Sequence, residues 1–140
     1  MNRKNRYWIG VASREHVLIG EKEGFAQFCH GKEAPAKRLS KGDWIVYYSG
    51  KEKFDESVPC RKFTAFGEVL DEKPIQVEQF PGFHPYRRKI RYKKAKEADI
   101  YPLIENLAFI KNKSSWGMAF RYGFFEISED DFKLIIREMK

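Results

Sequence analysis

The chain has little from which to build a disulfide framework or a metal centre: two cysteines and three histidines in 140 residues. Cys29 and Cys60 cannot frame a fold. No C-x-x-C or H-x-x-x-H spacing occurs among Cys29, Cys60, His16, His30 and His84, so no metal is expected. There is no G-x-S-x-G elbow and no Gly-rich phosphate loop, hence no expected catalytic residue or cofactor. No apolar run approaches about 18 residues, which excludes a spanning helix. The start, MNRKNRYWIG, runs straight into a strand-like segment and lacks the design of a signal peptide. A cytoplasmic protein with reduced thiols is the expectation, and a monomer suffices. Without repeats, low-complexity segments or linkers, residues 1–140 read as a single domain, long enough to stand without disulfides or metal.

What the chain does have is aromatic side chains, 16% of the total, and a formal net charge of +7. Cations neutralise phosphates and rings stack on bases, so this pairing suits nucleic acid. A modest positive charge also serves solubility alone.

The pattern along the chain predicts a mixed α+β fold. Tyr7–Ala12 (YWIGVA) reads as a strand buried on both faces. Ser13 can cap a short helix, Arg14–Glu21, with Glu15 in its first turn and Gly24 ending it. A polar-aromatic run, Phe25–Lys32, leads through a basic loop to a tight turn, Lys41-Gly42-Asp43. The strand Trp44–Tyr48 follows, with Trp44, Val46 and Tyr48 on one face and Ile45 and Tyr47 on the other. Lys51–Pro59 is a charged loop, and Lys62–Leu70 a third strand in which Gly67 marks a bulge or a close backbone approach. Asp71–Pro85 is a loop with an extended piece at Ile75–Phe80.

Tyr86–Lys93 alternates most clearly: Arg87, Lys89, Arg91 and Lys93 on one face; Tyr86, Arg88, Ile90 and Tyr92 on the other. Ala98–Leu107 can form a short helix with Pro102 in its first turn, Leu107–Ile110 an extended piece, and Lys111–Ser115 a turn. Trp116–Ile127 alternates, with Phe120, Tyr122 and Phe124 sharing a face. Ser128 then caps an amphipathic helix with acidic Glu129, Asp130 and Asp131 in its first turn and Phe132, Ile135, Ile136 and Met139 along one stripe. Uneven short strands with helices at both ends argue for a curved sheet or small barrel, against a doubly wound parallel sheet.

Few groupings carry chemistry. Cys29 beside His30 does not make a nucleophile and base, because sequence neighbours rarely meet side chain to side chain. The row Arg87, Lys89, Arg91, Lys93, one cation every ~7 Å, is either a solvated face or a match to a phosphate backbone. Arg88 falls on the inward face, where a guanidinium needs a buried carboxylate, an aromatic face or a ligand. Arg121 poses the same question. Gln27, His30, Gly31 and Lys32 offer amide, imidazole and ammonium groups within six residues, suited to a base edge or to a satisfied strand end.

The ordered series YWIGVAS-x-EHV (Tyr7–Val17), GFAQFCHGK (Gly24–Lys32), KGDWIVYYS (Lys41–Ser49), FTAFGEV (Phe63–Val69), YRRKIRY (Tyr86–Tyr92), FIKNKSSWG (Phe109–Gly117), FRYGFFEIS (Phe120–Ser128) and DF-x-x-I-x-x-x-M (Asp131–Met139) resembles the EVE-domain family. The resemblance covers nearly the whole chain. It implies a PUA-like fold, a strongly bent, mostly antiparallel β-barrel flanked by short helices, with kinship to ASCH domains and to the YTH readers of methylated adenine. It also implies a non-catalytic module that binds DNA or RNA and reads a modified, flipped or unpaired base in an aromatic-lined pocket.

By that resemblance Ser13, Gln27, His30, Gly31, Lys32, Tyr48, Ser49, Trp116 and Arg121 line the pocket, with Trp8 or Trp44 as substitutes for Trp116. Arg87, Arg88, Lys89 and Arg91 would hold phosphates. Phe25–Lys32 contains no tryptophan, so methyladenine specificity does not carry over. The alternatives are an RNA- or nucleotide-modifying enzyme and a general RNA-binding protein without base specificity.

Overall fold

The computed structural model describes residues 4–140; Met1–Arg3, part of the start expected to lead directly into the first strand, lie outside the described residues. Eight strands form a strongly curled mixed sheet: β1 Tyr7–Val11, β2 Phe25–Ala26, β3 Trp44–Lys51, β4 Pro59–Val69, β5 Ile75–Gln76, β6 Tyr86–Tyr92, β7 Ala98–Asp99 and β8 Phe124–Ile127. Their order is β2-β6-β4-β3-β1-β8, with β5 added beside β6 and β7 beside β4. Among the described residues every strand pairing is antiparallel except β1 with β3, which are parallel and joined through the helical crossover between them. Among the described residues three α-helices flank the sheet: α1 Arg14–Glu23, α2 Glu33–Arg38 and α3 Glu129–Met139.

Period-2 alternation puts a core on each face of the sheet. Ile9, Val46, Tyr48, Phe63 and Phe66 join one core, sealed by Phe132, Ile135 and Met139 of α3. Trp8, Ile45, Tyr47, Ala65 and Ile90 join the other, with Val17 of α1 and Phe28. β3 thus divides as its sequence predicts. Burying such side chains contributes about 1.5–3 kcal/mol each.

Local chemistry fixes the joints. Ser13 Oγ accepts from the His16 amide (3.3 Å) at the start of α1, and Gly24, at φ 79°, ends it in the left-handed conformation. Asp43, fully buried, accepts from the Arg6 and Ser40 amides and from Trp8 Nε1 at 2.9–3.0 Å, tying the turn before β3 to β1. Asp131 accepts from the Ala108 and Phe109 amides (2.9 and 3.0 Å) and so anchors that loop on α3. At Gly67 the β6 backbone passes so close that a Cβ would sit 2.6 Å from the Arg91 carbonyl oxygen.

Three local expectations are corrected. The basic loop after Lys32 contains α2, whose Pro35 lies in the first turn where a missing amide proton costs nothing. Ala98–Leu107 divides into β7 and a 3₁₀ turn, Tyr101–Asn106. Trp116–Ile127 is not one strand: Trp116–Phe120 is a 3₁₀ turn, and only Phe124–Ile127 extends. Phe120 and Phe124 consequently enter different cores while Tyr122 stays 81% exposed.

Candidate functional site

The parallel pairing of β1 and β3 brings both strands to their C-terminal ends side by side. The Ala12 amide donates to the Tyr48 carbonyl (3.2 Å), the Glu15 amide to the Glu52 carbonyl (2.9 Å), and the Val11 amide to the Gly123 carbonyl (2.8 Å). Cys29 turns its Sγ toward the Tyr122 carbonyl at 3.9 Å. Four separate segments therefore gather at one end of the sheet. The mouth they form presents the exposed His30 imidazole edge-on to Phe54 (ring centroids 5.3 Å), with the exposed Tyr122 beside the Cys29–His30 turn. Phe54 is itself 68% exposed, and Lys51 Nζ lies 5.3 Å from its ring.

Backbone strain marks the same turn. Cys29 (φ 50°) and His30 (φ 63°) are both left-handed, followed by Gly31 at φ 81°. Gly31 packs on Pro85, where a Cβ would lie 2.3 Å from the proline Cβ, and its carbonyl accepts from the Tyr86 amide (2.8 Å). The turn is thereby clamped to the start of β6, with His30 directed outward.

Elsewhere a concavity of about 310 Å³ opens between α1 and the hairpin that joins β5 to β6. Phe25 and Arg87 form its floor. His16, Ile19 and Glu23 of α1 make one wall, and Glu78 and Gln79 the other. The Arg87 guanidinium lies 3.7 Å from the Phe25 ring centroid, donates through Nε to Gln27 Oε1 and reaches Gln79 Oε1 at 3.4 Å. Burial pulls the His16 imidazole below its ordinary range, and the nearby charges of Arg87 and His30 add to the effect.

The phosphate row separates. Arg88 is fully buried, its Nε 2.8 Å from Asp71 Oδ1 and its terminal nitrogens on the carbonyls of Ala36, Leu39 and Asp71. It is a structural ion pair, withdrawn from any phosphate. Lys89 is exposed, and Arg91 leans toward Glu68 at 3.8 Å. Lys93 sits 5.7 Å from the Trp44 ring.

A model of the EVE domain matches residues 6–138. The chain belongs to the EVE-domain family. It is 56% identical over 127 residues to a UPF0310 protein in the gntR 5′ region of Bacillus licheniformis, covering 91% of this chain and 86% of that one. It is 41% identical over 133 residues to UPF0310 protein YdcG of Bacillus subtilis, covering 95% and 91%. The fold is that of Atu2648 from Agrobacterium tumefaciens (TM-score 0.56, 11% identity, 94% and 91% covered) and of a hypothetical protein from Leishmania major (TM-score 0.58, 12% identity, 96% and 94% covered).

In this EVE domain the predicted pocket residues fall into three groups. Ser13 and His30 stand at the mouth, as does the backbone of Tyr48, with Arg121 exposed next to Tyr122. Gln27, 5% exposed, faces the concavity through Arg87, and its carbonyl accepts from the Tyr47 hydroxyl (2.8 Å). The remainder is spread through the fold. The Tyr48 ring stacks on Phe120 (3.9 Å) in the core and Ser49 Oγ bonds Thr64 Oγ1 (2.9 Å). Gly31 supplies the turn, Lys32 precedes α2 with its side chain exposed, and Trp116 meets the edges of Tyr101 and Phe120.

Trp8 stacks on Phe124 (4.9 Å) and Trp44 packs by Phe66 and Phe132, so neither faces the mouth. Phe54 and Tyr122 were not singled out by the sequence. The signal for Phe54 was there, a lone ring in a charged loop. Among the described residues no three His, Cys, Asp or Glu side chains gather as a metal site requires, and no helix is long and apolar enough to cross a membrane.

Proposed function

We propose that this domain binds nucleic acid and reads a single base, presented flipped or unpaired, at the mouth formed by the ends of β1 and β3. The observation that carries this reading is the meeting of His30 with the open ring of Phe54, on a left-handed turn packed against Pro85 whose Cys29 touches the backbone of the exposed Tyr122. Membership of the EVE family and the PUA-like fold support the choice of nucleic acid as ligand. An aromatic face with solvent over it takes a base by stacking, worth about 1–3 kcal/mol per base. The imidazole and the neighbouring backbone can then discriminate the edge. Ser13 serves α1 first, through its Oγ, and would approach the base only along the strand exit.

Titration of the full chain with a panel of modified and unmodified nucleosides and single-stranded oligonucleotides, at low salt, tests this. Selective binding of one base type is the expected result; equal, weak binding throughout, with a steep salt dependence, points instead to general RNA binding. Retained binding in both Phe54→Ala and His30→Ala would remove the mouth from the reading.

A further inference from the structure

Arg87 is a cation without an anion. Its guanidinium is fixed on three sides by uncharged groups: the Phe25 ring beneath, Gln27 at Nε and Gln79 at a terminal nitrogen. Among the described residues no carboxylate pairs with it; Glu23 acts on it only through space. The neighbouring acid, Glu78, is already held by His84 at 3.0 Å. Burial lowers the Arg87 pKa, the direction expected of a charge that has lost water without gaining a partner. A guanidinium always stays charged in proteins, so the unmet demand is for an anion.

The concavity above Arg87, about 310 Å³, has roughly the volume of ten waters, ample for a phosphate and part of its sugar. It also lies near the mouth. His16 lies close enough to both Arg87 and His30 for their charges to act on its imidazole. Gln27, which holds Arg87, precedes His30 by three residues, at most about 11 Å of chain. A base in the mouth and an anion in the concavity can belong to the same stretch of strand.

We propose that the cleft between α1 and the 75–86 hairpin holds one phosphate group of the bound strand, gripped by Arg87 with His16 as a second donor. The inference rests on the nucleic-acid reading for the identity of the strand, but of the outward row of β6 it assigns the phosphate to Arg87 in the cleft and not to Lys89, Arg91 or Lys93. Arg supplies the paired N–H groups that phosphate oxygens accept, and a preset guanidinium loses little freedom on binding.

The test uses the full chain and heteronuclear NMR, with four separate probes: inorganic phosphate, a neutral nucleoside, its 5′-monophosphate and a single-stranded oligonucleotide without terminal phosphate. Phosphate-bearing probes are expected to move the Arg87 Nε and His16 resonances, and the nucleoside those of His30 and Phe54. A response to the monophosphate marks a terminal phosphate as a ligand; a response confined to the oligonucleotide marks an internal phosphodiester. Either supports the site. Arg87→Gln should weaken oligonucleotide binding about tenfold or more, and flatten the dependence of log K on log salt by about 0.7.

A single neutral methylphosphonate at the right linkage should reproduce that loss in the wild-type chain, independently of how the variant folds. In Arg87→Gln the same linkage should cost nothing further. Unmoved Arg87 and His16 resonances, with wild-type affinity and salt slope in Arg87→Gln, would overturn the proposal. Nucleoside binding without a phosphate response sinks this site and leaves base reading standing. Phosphate binding without any nucleoside response does the reverse.

Discussion

Arg87 and Arg88 are neighbours on β6 and face opposite sides of the sheet into opposite chemistry: Arg87 lies on an aromatic ring in an open cleft, Arg88 wholly inside against Asp71. The alternation of a strand is enough to separate them. One is free to meet a ligand, and the other is bound into the fold.

Asp71→Ala should therefore destabilise the protein by about 3–5 kcal/mol, because it leaves the Arg88 guanidinium buried without its carboxylate. Arg91→Ala on the same strand, with an exposed side chain, should fall within about 0.5 kcal/mol of wild type. Urea denaturation of both variants measures the contrast. Equal midpoints would mean that the buried pair contributes nothing.

Gly31→Ala should damage stability and binding together. The position has φ 81°, and an added Cβ would lie 2.3 Å from the Pro85 Cβ. Overpacking of this kind costs about 1–3 kcal/mol, and relief of the clash must move the Cys29–His30 turn. Thermal denaturation and nucleoside titration of the variant check the two effects; a wild-type melting temperature would show that the clamp is not tight.

Phe54→Ala and Tyr122→Ala remove rings that are 68% and 81% exposed, so stability should hardly change. Under the base-reading proposal at least one of them should lose about 1–3 kcal/mol of oligonucleotide affinity. Fluorescence anisotropy beside a urea titration separates binding from folding.

His16 sets a pH dependence of stability. Its folded pKa lies below the unfolded value of about 6.5, chiefly through burial. The unfolded chain thus binds the proton first as pH falls, so the contribution is complete above about 6.5 and is lost as pH drops toward the folded pKa. Wild type should lose stability relative to His16→Gln over that interval, and not above it. Urea midpoints at several pH values from 8 down to 5, roughly a unit apart, provide the measurement, and parallel curves would contradict it.

Cys60 should react slowly. Burial, then its hydrogen bond to Glu52, pushes the thiol up to about 11, so little thiolate exists near neutrality. In a Cys29→Ala background, Glu52→Gln should speed its reaction with a thiol reagent at fixed pH. Rates equal to a model thiol in the parent chain would show that the site does not protect it.

The sequence by itself determined the two-faced strand β3, the Ser13 and Ser128 helix caps and the apolar stripe of α3, because each depends on contacts within a few residues. Its motif order also carried the family and hence the curled sheet. Position in the chain could not tell which polar side chains were already satisfied. Ser49 meets Thr64 across β3 and β4, and Arg88 meets Asp71 and two carbonyls near α2. Nor could it show that Phe54 closes on His30 or that Tyr122 is turned out by the break at Gly123. Those outcomes depend on which distant segments the sheet brings together, and a burial pattern along one strand contains no information about its partners. Only the tertiary structure decided that four strand ends and loops gather where His30 meets Phe54.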